Sequence, residues 1–215
     1  DVGSTENKVT SYWILDADGN DVTDQFTNVT TVDGTLTVTP KPVTVTLTGN
    51  SGEFVYDGEE KSVTGYTTEI SDPAYTTDNF TYSGTAEAKG TEVGKYDLVL
   101  DQSALTNNNP NYEVTFVVNP GKLTITPVTD EIRIIANSDE KVYDGEELTN
   151  DGYTVENLPE GFTVEAVVEG SQTDVGNSEN KITSYVIYDE NGQDVTDQFT
   201  NVTTVDGELT VTPKP

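Results

Sequence analysis

The chain has 215 residues, of which 39 are acidic and 10 basic, so its net charge is −29, and it contains no cysteine, histidine or methionine. Zinc fingers, haem ligation, thiol nucleophiles and the Ser-His-Asp triad all require His or Cys, so the composition excludes them. So acidic a chain repels phosphate backbones, and no stretch approaches the roughly 20 apolar residues of a membrane helix, so we expect neither nucleic-acid binding nor membrane insertion.

The composition favours β structure, because 36 Thr and 27 Val make up 29% of the chain and β-branched residues suit strands. Alternation of apolar and polar residues predicts strands at Val43–Leu47, Tyr96–Leu100, Ile132–Ala136 and Phe162–Val168. Turn signals separate such runs at Asp18-Gly19, Asp33-Gly34, Asp57-Gly58, Asp144-Gly145, Pro159-Glu160-Gly161, Asn191-Gly192 and Asp206-Gly207.

Internal repeats set the organisation of the chain. Residues 1–42 match residues 174–215 at 33 of 42 positions, at an offset of 173. A weaker repeat has half that period: the windows 56–67 and 143–154 share 8 of 12 residues, including Tyr-Asp-Gly-Glu-Glu and Gly-Tyr-Thr. Repeats with such periods are typical of tandem arrays.

The simplest division has three segments. Residues 43–127 form a complete unit of a divergent type, residues 128–215 form a complete unit of a second type, and residues 1–42 are the C-terminal half of a unit of that second type. We therefore expect the chain to be a window on a longer tandem array. The Thr-Pro joints between segments are short and stiff, which predicts an extended array.

Six or seven strands per unit of about 87 residues favour a small antiparallel β-sandwich of immunoglobulin-like type. A β-grasp repeat is the alternative. That fold needs a helix, and the only helical-turn candidates are Asp21–Phe26 and its copy Asp194–Phe199.

The Tyr-Asp-Gly-Glu-Glu motif, the Asp-Val-Gly step and the closing Gly-x-Leu-Thr-Val-Thr-Pro resemble YDG/MBG-type repeats, which occur in tandem in large bacterial surface proteins and adhesins. The resemblance covers the whole chain, segment by segment. It implies an extracellular protein of the bacterial cell surface or cell wall, extended and not an enzyme.

The strongest metal candidate is the loop that contains Asp16, Asp18 and Asp21, since calcium is bound by six to eight oxygens. The copy, Asp189 to Asp194, loses the carboxylate of Asp18, because Asn191 stands at that position. A plain β-turn explains the same residues, because Asp-Gly and Asn-Gly are hairpin signals. We expect no cofactor, with calcium at this loop as the exception to test.

The Tyr-Asp-Gly motif allows two interpretations. Tyr56 and Tyr143 could be exposed and stack on a sugar, or they could pack in a core beside the tight turn. A motif found in every unit of an array usually serves the fold, which favours packing.

The sequence therefore predicts a structural spacer, a stalk or fibre that projects a distal domain from the cell. Its partners would be neighbouring repeats of the same long chain. The alternative is a set of weak adhesion modules that bind host glycans or mucin by avidity.

Overall fold

The computed structural model describes all 215 residues, and every regular element longer than three residues is a β-strand. The strands are β1 (Gly3–Asn7), β2 (Gly34–Val38), β3 (Lys41–Gly49), β4 (Ser51–Val55), β5 (Lys61–Thr64), β6 (Tyr66–Ile70), β7 (Phe80–Tyr82), β8 (Glu87–Gly90), β9 (Gly94–Leu98), β10 (Leu105–Asn107), β11 (Tyr112–Asn119), β12 (Gly121–Thr126), β13 (Ile132–Ala136), β14 (Asp139–Val142), β15 (Tyr153–Glu156), β16 (Thr163–Glu169), β17 (Gly176–Tyr188), β18 (Val202–Val205) and β19 (Gly207–Thr212). The fold is therefore all-β, as the composition predicts.

The helical elements are four 3-10 turns of three residues each: Thr23–Gln25, Thr77–Asn79, Gln102–Ala104 and Thr196–Gln198. The first and the last fall inside the two helical-turn candidates of the sequence. The longer helix that a β-grasp fold requires is not among the elements.

The chain divides into two compact units. Unit 1 comprises residues 1–48, 67–85 and 100–119, and unit 2 comprises residues 49–66, 86–99 and 120–215. Segment 43–127 thus contributes to both units. The compact units therefore do not coincide with the predicted repeats, and the repeat boundaries after residues 42 and 127 stay a prediction.

In unit 1, strands β11, β3 and β6 form a three-stranded sheet, β1 pairs with β2, and β7 pairs with β10. The alternation seen in the sequence directs Val43, Val45 and Leu47 of β3 into the core, where each is at most 3% exposed. A chain of aromatic rings continues this core: Tyr75 lies 5.1 Å from Tyr112 and 6.5 Å from Phe80 between ring centroids.

In unit 2, the sheet orders are β4-β12-β9, β15-β13-β18, β14-β19-β17-β16 and β5-β8. The predicted strands at Ile132 and Phe162 are present, and Ile132, Ile134, Leu209 and Val211 are at most 1% exposed. Burial of such aliphatic side chains is the main stabilising contribution that the sequence offers, about 1.5–3 kcal/mol for each one fully buried.

The sequence predicts antiparallel sheets, but the sheets of the structure are mixed. Strand β3 runs parallel to β11, β4 to β12, β13 to β18, and β14 to β19. A period of two residues shows only that a strand has one buried face, and it is silent on the direction of the neighbouring strand. The pairing direction is decided by contacts between residues about 70 positions apart, such as Asp139 with Leu209.

The Asp206-Gly207 pair is not a hairpin turn, contrary to its sequence signature. Strands β18 and β19 follow one another at this point and pair in parallel with β13 and β14. A Cβ on Gly207 would lie 2.4 Å from the carbonyl oxygen of Asn137, so the glycine is needed for close approach of two backbones. Gly121 has the same role, because its Cβ would lie 2.0 Å from the carbonyl oxygen of Asn50.

A buried amide stabilises the bend next to Gly207. Asn180 is 0% exposed, and its Nδ2 donates to the carbonyl oxygens of Asn137 at 2.9 Å and Asn150 at 2.8 Å. Asn137 and Asn150 both lie outside the strands, so their carbonyl oxygens are not part of a sheet ladder. The side chain therefore satisfies backbone groups where the sheet hydrogen bonding is interrupted.

Near-identical sequences have very different burial in the two copies. Leu36 and Val38 are each 56% exposed, whereas their copies Leu209 and Val211 are 0% and 1% exposed. In unit 2, Leu209 and Val211 form a core cluster with Leu148, and β19 lies between β14 and β17, whereas β1 and β2 form a sheet of two strands. The same local sequence is therefore exposed in one copy and buried in the other, according to what packs on it.

Candidate functional site

The predicted calcium loop is a turn organised by Asp16. Its Oδ1 accepts hydrogen bonds from the backbone N–H of Asp18 at 3.0 Å and of Asn20 at 2.9 Å, and Gly19 adopts a φ of 83°. The backbone N–H of Asn20 is the main reason that the pKa of Asp16 lies below its usual value. The carboxylate thus stabilises the turn that the sequence predicts.

The other two candidates do not converge on Asp16. Asp21 accepts from the backbone N–H of Thr23 at 2.9 Å and from its hydroxyl at 2.5 Å, while Asp18 enters the turn through its backbone N–H. No group of three or more acidic side chains has an arrangement that could hold a metal ion. Calcium at this loop stays a prediction.

The copy of the loop has the same geometry. Asp189 Oδ1 accepts from the backbone N–H of Asn191 at 2.9 Å and of Gln193 at 2.8 Å, and Gly192 has a φ of 74°. The turn therefore forms in both copies although Asn191 stands where the other copy has Asp18.

The two Tyr-Asp-Gly motifs have different surroundings. Tyr56 is 3% exposed, and its ring packs against Phe162 at 5.9 Å and Phe199 at 6.2 Å between centroids. Both phenylalanines belong to segment 128–215, so Tyr56 joins one sequence segment to the next within unit 2. Tyr143, at the equivalent position, is 38% exposed.

The environment of Tyr56 disfavours its ionised form. Burial raises the pKa of Tyr56 to about 12, and the nearby carboxylates of Glu92, Asp189 and Asp57 add to the effect. The buried phenol therefore stays neutral next to these carboxylates. Its role in this geometry is packing, which is the interpretation that the sequence favours for the motif.

A hydrogen bond beside Tyr56 also joins the two segments. The backbone N–H of Val93 donates to Oε1 of Gln198 over 2.9 Å. The backbone carbonyl of Gln198 accepts from the N–H of Val128, also at 2.9 Å. Gln198 therefore binds the first residue of its own segment through its backbone and the preceding segment through its side chain.

The same contact recurs in unit 1, between residues 1–42 and segment 43–127. The backbone N–H of Val2 donates to Oδ1 of Asn111 over 2.9 Å. The carbonyl of Asn111 accepts from the N–H of Lys41 at 3.0 Å, as Gln198 does from Val128. Asn111 and Gln198 occupy equivalent positions, one residue before Tyr112 and Phe199.

The receiving surfaces of the two junctions share an aromatic pair. Phe162 and Phe199 lie 5.1 Å apart at an interplanar angle of 83°, and Tyr75 and Tyr112 lie 5.1 Å apart at 70°. Each pair sits next to the residue that accepts the valine N–H. We call the valine, the Asn or Gln acceptor and the aromatic pair the junction site.

A network of asparagines holds the unit 1 junction site in place. Asn107 Nδ2 donates to the carbonyls of Asn109 at 3.0 Å and Tyr112 at 2.9 Å, and the Tyr75 hydroxyl lies 2.9 Å from Asn107 Oδ1. Asn109 Oδ1 accepts from the N–H of Asn111 at 3.1 Å. The Asn-rich run that sets segment 43–127 apart from its neighbour is thus an ordered receiving loop.

Sequence reasoning identified the Tyr-Asp-Gly and Asp-Val-Gly motifs but not their partners. Val2, Val93 and Val175 each precede a glycine in a recurring step, which marks them as equivalent. Gln198 and Asn111 carry a weaker signal, an amide side chain immediately before an aromatic residue. Their long separation from the valines, 105 and 109 positions, hides the pairing from the sequence.

An acidic groove borders the unit 2 junction. It has a volume of about 330 Å³ and is lined in part by Asp57, Glu59, Glu160, Asp189 and Glu190. A second groove of about 460 Å³ borders the unit 1 junction, and its lining includes Val2, Thr39, Ala74, Asn111 and Tyr112.

Comparison with protein families matches residues 42–127 to the family model of the MBG domain. This confirms, for residues 42–127, the resemblance drawn from the repeat motifs, and the MBG domain is a repeat module of surface proteins. A search of curated proteins finds no significant match to the chain. The structure contains no helix with the length and apolar character to cross a membrane.

Proposed function

We propose that this chain is part of a spacer or fibre-forming region of a large bacterial cell-surface protein. Its segments would follow one another outside the cell, attached to the surface or the wall, and hold an adhesive or other distal domain at a distance. The MBG match supports the surface assignment.

The observation that carries the proposal is the recurrence of the junction site. Two segments that differ in sequence receive their predecessors through the same valine N–H bond, at 2.9 Å in both cases. Repeated interfaces between neighbours are the basis of arrays whose stability comes from nearest-neighbour contacts. A spacer needs such interfaces, because the end-to-end distance of a freely jointed chain of domains grows slowly with the number of domains.

The Tyr-Asp-Gly motif of segment 43–127 contributes to the unit 2 junction and not to an open site. Tyr56, the aromatic residue of the motif in segment 43–127, is 3% exposed and packs on Phe162. A glycan platform at this position would need an accessible ring face. The buried ring therefore supports the spacer over the alternative of a glycan- or mucin-binding module.

The proposal is tested by the reach of the chain, which is its end-to-end distance. Chains with one, two and three copies of residues 43–215 are labelled at both ends, and the end-to-end distance is measured by pulsed dipolar spectroscopy or scattering. A spacer gives a distance that grows by a constant increment with each copy. A distance that saturates after the first copy would refute the proposal.

The same chains are tested against immobilised mucin and a glycan array. A spacer gives no binding that increases with copy number. Binding that strengthens steeply with the number of copies would instead support adhesion modules acting by avidity.

A further inference from the structure

One end of segment 128–215 carries an uncovered copy of the donating half of the junction site. Tyr143 is 38% exposed where Tyr56 is 3% exposed, and Val175 is 51% exposed. The backbone N–H of Val175 has no acceptor within the chain, whereas those of Val2 and Val93 are bonded. We call Tyr143, Gly145 and Val175 the terminal face.

Gly145 completes the likeness to the occupied junction. Gly58 has a φ of 83° and its Cβ position lies 3.5 Å from Cζ of Phe162, so the receiving ring lies over this glycine. Gly145 has a φ of 89° and nothing lies within 4 Å of its Cβ position. The Tyr143 ring, Gly145 and the Val175 N–H are thus all accessible to a partner, at the positions that the receiving segment covers in segment 43–127.

The backbone that carries Tyr143 has the geometry of the occupied junction as well. The N–H of Tyr56 donates to the carbonyl of Thr126 at 2.9 Å, and the N–H of Tyr143 donates to the carbonyl of Thr212 at 2.8 Å. The position of the tyrosine relative to the last strand of its segment is therefore the same in both. Only the receiving partner differs.

We propose that the terminal face binds a further segment of the 43–127 type, through the Asn111 loop and the Tyr75–Tyr112 pair of that segment. This inference rests on the proposed spacer function and specifies its junction. Val175 donates its N–H to the Asn111 equivalent, and the Tyr143 ring packs against the aromatic pair.

The choice of partner comes from the occupied junction in unit 1. Asp1-Val2-Gly3 is identical to Asp174-Val175-Gly176, and Val2 is bonded to Asn111 of a 43–127 segment. Thr39 is the copy of Thr212, and it lines the groove of about 460 Å³ together with Ala74 and Tyr112. The groove therefore lies where a tyrosine bonded next to that threonine would enter.

Charge favours the same partner. The terminal face is flanked by the carboxylates of Asp144, Glu146 and Asp174. The receiving loop of segment 43–127 contains only neutral side chains from Asn107 to Tyr112, whereas the loop around Gln198 carries Asp194 and Asp197. A junction with a second 128–215 segment would place like charges on both sides, as the acidic groove of the unit 2 junction does, whereas the Asn107–Tyr112 loop adds no charge.

The test extends the full chain after Pro215 by a second copy of residues 43–127. Amide hydrogen exchange is measured by NMR at Val175, with Val93 as the internal reference for an occupied junction. In the parent chain the Val175 amide exchanges at the rate of an exposed amide, and in the extended chain it slows by at least about tenfold. Unchanged exchange at Val175, with Val93 still protected, would overturn the inference.

Matched variants separate docking from mere tethering. In the extended chain, Tyr143→Ala should restore fast exchange at Val175, while Tyr12→Ala, which removes a ring that is 42% exposed, should leave it slow. An extension by residues 128–215 in place of 43–127 should protect Val175 less. Equal protection by both extensions would refute the assigned partner.

The failure of this inference differs from the failure of the spacer proposal. If reach grows with copy number while Val175 stays unprotected, the spacer stands and the terminal face is not its junction. If Val175 is protected while reach saturates, the junction forms and the spacer proposal fails.

Discussion

The backbone N–H of Val93 donates to the side-chain Oε1 of Gln198 over 2.9 Å, although 105 positions separate the two residues. This bond joins segment 43–127 to segment 128–215 within one compact unit. Gln25, the copy of Gln198 in residues 1–42, forms no such bond through its side chain. The pair of glutamines therefore allows a matched experiment on the junction.

Gln198→Ala should lower the free energy of unfolding of unit 2 by about 1 kcal/mol, because the Val93 N–H loses its acceptor. Amide exchange at Val93 should accelerate in the same variant. Urea unfolding and NMR exchange measure the two effects. Gln25→Ala should change neither, and an equal loss in both variants would argue against a junction role.

Tyr56→Ala should destabilise unit 2 by about 3–5 kcal/mol, the usual range for truncating a buried aromatic side chain. The reason is the loss of packing against Phe162 and Phe199. Tyr143→Ala, at the exposed copy, should stay within about 0.5 kcal/mol of the parent chain. Similar losses in both variants, measured by chemical denaturation, would contradict the different burial of the two rings.

Stability should fall at alkaline pH through Tyr56. Its pKa is raised to about 12 in the folded chain, while a tyrosine in an unfolded chain titrates near about 10. The stabilisation is therefore complete below pH 10 and is lost as the pH rises towards 12, because the unfolded chain releases its proton first. The total effect approaches about 3 kcal/mol.

Unfolding free energies of the parent chain and of Tyr56→Phe, measured between pH 8 and about pH 12, isolate this contribution. The difference between the two should be constant below pH 10 and should shift in favour of the variant above it. Parallel curves over the whole interval would show that Tyr56 is not the group responsible.

Asn180→Asp should destabilise unit 2 by about 3–5 kcal/mol at neutral pH, because it places a buried charge without a partner between two carbonyl oxygens. Those oxygens belong to Asn137 and Asn150 and now accept from Nδ2. Asn7→Asp, at the exposed copy, is the control and should be nearly neutral. Thermal unfolding at neutral and acidic pH also checks the sign, since protonation of the new carboxyl should recover stability.

The whole chain should become more stable as ionic strength rises. Segment 128–215 has 20 acidic and 4 basic residues and segment 43–127 has 12 and 4, so both repel themselves at low salt. Calcium should stabilise no more than magnesium at equal ionic strength. A calcium-specific rise in melting temperature at micromolar concentration, abolished by Asp16→Asn, would instead assign a metal to the Asp16 loop.

Much of the local structure is determined by the sequence. The strands at Val43–Leu47 and Ile132–Ala136 follow from the alternation of apolar residues, and the turn at Asp18-Gly19 follows from a glycine that tolerates positive φ. These properties depend on neighbours within a few residues, so they can be predicted without a partner. The repeat motifs likewise predicted the MBG family of the central segment.

Tertiary structure alone decides the direction of strand pairing and the partners of the motif residues. Tyr56 and Tyr143 have the same local sequence, yet one is buried and the other exposed, because only Tyr56 is met by rings from the following segment. Asp206-Gly207 has the composition of a turn, yet at Gly207 the backbone passes close to the backbone of Asn137. Burial and pairing are set by residues 70 to 109 positions away, and a local pattern carries no information about contacts at that distance.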